Sequence, residues 1–189
     1  MRNFATFFVV VLALVAAGCT PAMSTSDTLK PGDEYGVAIV GLTVAEGGAD
    51  HTIWGLMCAQ GLHVNWRRTA GVTPRGEKDT FSSRAGCLDS PTPDKLMYYN
   101  VLKLTPGSYA LVNVERSLGR DTNITQFRGK DAPKFSLKAG EVVYLGNITF
   151  AAKDPYDIIG YGRDDEKARA VLKGYPGISV PMVDRNFTF

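Results

Sequence analysis

The chain has 189 residues, with 21 Lys+Arg against 19 Asp+Glu and a formal net charge of +2. At 21% charged and 44% hydrophobic it is neither a disordered polar chain nor a multi-span membrane protein, and so small a net charge excludes an electrostatic case for nucleic acid, which needs a concentrated basic face. Twenty glycines and ten prolines favour turns and short strands, while three cysteines are too few to build a disulfide miniprotein.

Arg2 supplies a positive charge, and Phe4 to Ala17 follows uncharged and almost wholly apolar. That run falls short of the roughly 20 residues of a membrane span and ends in small residues, the pattern of a secretory signal. Val15-Ala16-Ala17-Gly18-Cys19 resembles the bacterial lipobox, with Ala16 standing where that motif prefers Leu. The resemblance implies cleavage before Cys19, acylation of Cys19 and hence a partner membrane. Thr20, where an Asp would favour the inner membrane, leans towards the outer membrane. Each buried methylene contributes about 0.8 kcal/mol, so two or more acyl chains anchor stably. The expected organisation is a signal peptide over 1–18, a lipidated flexible tether over 19–33, and one domain over 34–189. Removing 18 of 189 residues leaves 171, enough for a real core.

In the exported chain Cys58 and Cys87 remain as a pair in an oxidising compartment, where a disulfide is expected. Such a bridge adds about 3 kcal/mol by constraining the unfolded chain.

Glu34 to Val44 is β-favouring with apolar residues at both parities, which predicts a strand buried on both faces. Thr52–Cys58 and Leu62–Arg68, separated by Ala59-Gln60-Gly61, read as a hairpin. Met97 to Leu104 is a strand, Thr105-Pro106-Gly107 a type II turn, and Ser108 to Glu115 the strand returning beside it. A short strand at Phe135 reaches a turn at Ala139-Gly140, and a longer strand follows over Val142–Phe150. Asp164 to Lys173 carries acids first and bases last, with Gly174 and Pro176 beyond, and predicts a helix. Its stripe of Ala168, Val171, Leu172 and Tyr175 suits docking. Phe187-Thr188-Phe189 is a candidate terminal strand. Strands at intervals of about ten residues give a mainly β fold, a single β-sandwich with one C-terminal α-helix.

Leu104-Thr-Pro-Gly-Ser-Tyr-Ala-Leu111 and Phe135-Ser-Leu-Lys-Ala-Gly-Glu-Val-Val-Tyr-Leu-Gly146 resemble paired motifs of uncharacterised bacterial lipoproteins with transthyretin-like or Ig-like sandwiches. The resemblance implies a hairpin at the first motif, entry to a core strand at the second, and no catalytic residues.

Ser83-Arg-Ala-Gly-Cys87-Leu-Asp89 resembles the cysteine signature of L,D-transpeptidases, which would make Cys87 a nucleophile in a peptidoglycan enzyme. Ala85 and Asp89 replace the family's histidine and arginine, and Ser83 is one residue too far away. His51, His63 and Asp50 have no metal-site spacing, and Asp164, Asp165 and Glu166 suit capping better than calcium. Trp54, Trp66, Tyr98 and Tyr99 are a candidate aromatic binding surface for glycan, with the adjacent tyrosines on opposite faces of a strand. These readings converge on a lipid-anchored, non-catalytic binding or structural module of the envelope. It needs no cofactor or metal, and its partner is another envelope protein or peptidoglycan.

Overall fold

The computed structural model describes residues 22–45, 62–73, 75–76, 78–85, 97–118, 121–151 and 153–189. The described strands are β1 (Gly36–Val44), β2 (Leu62–Ala70), β3 (Thr80–Ala85), β4 (Tyr98–Leu104), β5 (Gly107–Leu118), β6 (Asp121–Gln126), β7 (Lys134–Leu137), β8 (Val142–Phe150), β9 (Ile158–Gly162) and β10 (Met182–Asp184). Helix α1 (Asp165–Leu172) lies between the last two. In the first sheet the order is β10-β8-β1-β4, with β9 also on β8; in the second it is β3-β2-β5-β6, with β7 also on β5.

The fold is mainly β, and its two sheets bury one core between them. Ala38, Val40, Leu42, Leu145 and Ile148 of the first sheet meet Leu62, Val64, Trp66, Leu111 and Phe135 of the second. The opposite parity of β1, Val37 and Ile39, packs with Leu29, Val101, Val142 and Ala168 on the outer side of the first sheet. Strand β1 is therefore buried on both faces, as its sequence predicts, between antiparallel β4 and parallel β8. Helix α1 begins at the expected cap, where the Asp164 carboxylate accepts from Lys167 N at 2.9 Å, and its apolar stripe covers that outer side.

Three expectations need correction. First, Pro106-Gly107 does not close a hairpin, because β4 belongs to the first sheet and β5 to the second. Gly107 is extended at φ 159°, far from the value near +80° of a type II turn. A Cβ on Gly107 would lie 2.5 Å from the Ala70 carbonyl oxygen, so the glycine serves close approach. Tyr109 reaches back and donates its hydroxyl to the Thr105 carbonyl at 2.5 Å, clamping the corner where the chain changes sheets. The β7–β8 turn also carries the chain from one sheet to the other. It holds Gly140 at φ +64°, and Glu141 receives both guanidinium nitrogens of Arg185, at 2.5 and 3.1 Å.

Second, residues 22–33 are not a free tether. Ala22 bridges Leu102 on β4, Met23 N donates to Val101 O, and Leu29 bridges Ile178 and is fully buried. Met23 and Leu29 are the apolar anchors of a strap across the first sheet.

Third, the C-terminal run makes only a bridge, Thr188 with Lys134, while Phe187 stacks on Trp66 at 6.0 Å. The Thr52–Cys58 half of the expected hairpin lies outside the described residues, and Leu62–Ala70 instead pairs with β3 and β5.

The sandwich has two poles. At the basal pole β1 and β5 begin, β2 and β4 end, and the β4–β5 corner meets the β2–β3 loop. At the apical pole β1 and β3 end and β2 and β4 begin.

Candidate functional site

Trp66 does not join an exposed aromatic surface. Trp66 shares the parity of Leu62 and Val64, so it points inward with them and is 0% exposed. Its indole N–H donates to Ser83 Oγ at 2.9 Å, and its ring stacks between Phe81 and Phe187. Trp66 is a core residue and is withdrawn from the candidate surface. Tyr98 and Tyr99 diverge as expected: Tyr98 is 39% exposed, whereas Tyr99 is half-buried against Tyr144. Cys19, Trp54, Cys58, Cys87, His51 and Asp50 lie outside the described residues.

Ser83, from the transpeptidase-like signature, is buried on the core face, where its hydroxyl also donates to Val64 O. His63 pairs with Arg84 and Glu115 on the other face of the same sheet. The two side chains are not brought together. Among the described residues no group of three His, Cys, Asp or Glu could hold a metal, and no helix is long and apolar enough to cross a membrane.

Two polar arrays emerge that the sequence reading passed over. One lies on the outer side of the first sheet. Between Ile39 and Gly41 of β1 there is one residue, but between their partners Tyr144 and Asn147 there are two. The extra residue makes a β-bulge at Leu145-Gly146, with Gly146 at φ +91°. The bulge turns Asn147 onto the face of Tyr144, whose hydroxyl donates to Asn147 Oδ1 at 2.8 Å and accepts from Asp164 N at 2.9 Å. The Tyr99 ring lies beside that of Tyr144, centroids 6.4 Å apart. Burial pushes the Tyr99 phenol up from its ordinary pKa, and neighbouring Tyr144 pushes the same way. Burial likewise raises Tyr144. The Arg163 guanidinium lies 4.7 Å from the Tyr144 ring centroid and binds Asp165 and Asp184 at 3.0 and 3.1 Å. These groups are mutually satisfied and hold α1 against the sheet.

The other array covers the outer face of the second sheet. Opposed residues across an antiparallel pair share a face, so the registers align Ser82, Asn65, Asn113 and Gln126 in one row across β3, β2, β5 and β6. Ser82 Oγ donates to Asn65 Oδ1, and Asn65 Nδ2 donates to Asn113 Oδ1 at 2.7 Å. The neighbouring row is Arg84, His63, Glu115 and Ile124. These side chains are half-buried or exposed. The signal in the sequence was the alternation of Leu62, Val64 and Trp66 with His63, Asn65 and Arg67. Chemically this face offers amide and hydroxyl groups in register with flanking charges, a surface for hydrogen-bonding a polar partner.

Compared with family models, with curated proteins and with solved structures, the chain matches none.

Proposed function

We propose that this chain is a lipid-anchored protein of the bacterial cell envelope, held by acylated Cys19 in the outer membrane and facing the periplasm. It acts as a non-catalytic module that binds another envelope protein or peptidoglycan. The observation that carries this reading is the unequal covering of the two sheets by the described residues. The strap and α1 close the outer side of the first, while the second turns a row of polar side chains outward. A partner is bound through the Ser82–Asn65–Asn113–Gln126 row and its charged neighbours. The finer fold, an Ig-like or transthyretin-like sandwich, is supported by the Tyr109 corner, a device of Ig-type sandwiches.

The Cys58–Cys87 disulfide belongs to the same reading. Leu62 and Ala85 are directly paired, leaving four residues back to Cys58 and two forward to Cys87. Mass spectrometry of unreduced protein tests the bridge: a free Cys87 that alkylates rapidly would favour the cysteine-enzyme alternative. For the anchor, Cys19→Ser should abolish palmitate labelling. For the surface, a photo-crosslinker at Arg67 should capture one envelope component in cells, while one at Lys167 on α1 should not. Equal capture from both sites would refute the assignment.

A further inference from the structure

We infer that the domain lies directly on the bilayer that holds its anchor, seated by its basal pole. This rests on the lipid-anchor reading above and adds an orientation to it. The chain is docked from Ala22 onward, where it bridges Leu102. Only three residue steps separate Ala22 from Cys19, and at no more than about 3.6 Å per residue they span about 11 Å in any conformation.

That reach discriminates between the poles. Leu102 is two residues from the basal end of β4 at Leu104 and four from its apical end at Tyr98. At roughly 3.3 Å per residue these are about 7 and 13 Å, so an acylated Cys19 can pass the basal end but not the apical one. Ala22 also pairs antiparallel with β4, so the N-terminal side of Ala22 itself faces the basal end.

The basal pole has the chemistry of a surface that touches lipid headgroups. Val72, in the β2–β3 loop, is 83% exposed, the most of any large hydrophobic residue among the described residues. The loop packs on the β4–β5 corner, where a Cβ on Gly71 would lie 2.9 Å from Pro106 O. Exposed Arg75 and Lys78 stand on the same loop, and Lys138 and Lys30 stand at the neighbouring β7–β8 turn. Acids alternate with these cations: Glu77 and Asp79 follow in the loop sequence, and Asp33, Glu34 and Glu141 stand by the turn, Glu141 paired with Arg185. The feature that suits the headgroup layer is the exposed apolar tip with long basic side chains beside it that can reach lipid phosphates.

The test uses the full lipidated protein in vesicles of phosphatidylethanolamine and phosphatidylglycerol, labelled with a water-soluble amine-reactive reagent and mapped by mass spectrometry. The reference is the same chain with a ten-residue Gly-Ser spacer after Pro21, which adds roughly 17 Å of reach. Lys78 and Lys138 should label several-fold more slowly in the native chain than in the spacer variant, while Lys153, beyond the apical end of β8, should label equally in both. Equal labelling of Lys78 and Lys138 in the two chains, with the lipid confirmed on Cys19 by mass, overturns the seating and leaves the anchor standing. Protein from cells without lipid on Cys19 overturns both.

Discussion

Gly41 is the tightest point of the first sheet and makes the sharpest prediction. An added Cβ would lie 2.1 Å from Asn147 Oδ1, 2.8 Å from Asn147 Cγ and 2.9 Å from Met97 Sδ. The methionine can swing aside, but Asn147 is 8% exposed and accepts from Tyr144. Gly41→Ala therefore combines overpacking, about 1–3 kcal/mol, with loss of a buried hydrogen bond, about 1 kcal/mol. The expected loss is about 2–4 kcal/mol, which for a domain of this size lowers Tm by about 5–15 °C. Urea unfolding of Gly41→Ala, Asn147→Ala and the double variant isolates the cause. Once Asn147 is truncated the new methyl has room, so the double variant should recover about 1–2 kcal/mol relative to the sum of the singles. A Gly41→Ala protein within 0.5 kcal/mol of the parent, or strict additivity in the cycle, would refute the argument.

Trp66→Ala should cost about 3–5 kcal/mol and expose the core, read as loss of cooperative urea unfolding; a stable, folded variant with only weakened ligand retention would restore Trp66 to the surface. Asn100, which accepts from Arg84 N at 3.1 Å and donates to Arg84 O at 3.0 Å, ties the β4 edge of one sheet to the β3 edge of the other. Asn100→Asp sets an acceptor against that carbonyl and should cost about 1–3 kcal/mol, read in the same assay; an unchanged midpoint would remove the clamp. The raised phenols of Tyr99 and Tyr144 favour the protonated form in the fold. Their contribution is complete below the unfolded value near pH 10 and declines as pH rises towards the folded pKa. The urea midpoint should fall between pH 10 and about 11.5, and Tyr99→Phe should flatten that fall; an unaltered slope would disconnect Tyr99 from it.

Much of the fold was legible where its signals are local. The helix announced itself through Asp164, the order of its charges and Gly174. The double-faced burial of β1 followed from apolar residues at both parities. What local grammar could not say was which sheet a strand joins. Leu104-Thr-Pro-Gly reads as a turn in either case, and only the Tyr109 bond to Thr105, with Ala70 packed on Gly107, makes it a corner. Trp66 carries two conflicting signals: its indole suits a binding surface, but its parity with Leu62 and Val64 puts it in the core. Gly146 in the middle of the strand Val142–Phe150 is a bulge signal. The strap was hidden because its residues show no apolar period, whereas its buried apolar contacts come from Met23 and Leu29 alone. The polar edge strand β6, Asp-Thr-Asn-Ile-Thr-Gln, has one buried side chain and so carried almost no apolar pattern.

The strap and the C-terminal segment are sealed to each other. Leu29 bridges Ile178, Leu29 N donates to Gly177 O, and Ser179 N and Oγ both donate to Leu29 O. A Cβ on Gly177 would lie 2.3 Å from Asp27 O, so the two segments touch backbone to backbone. At the other end of the chain, Phe187 fills the space beside Trp66 and Phe135. The strap cannot be sealed before residues nearly 150 positions downstream arrive, and closing so long a loop is slow. The strap is thus held at two separations along the chain: Ala22 and Met23 dock on β4, about 80 residues downstream, through Leu102 and Val101, while Leu29 is sealed only by the C-terminal segment.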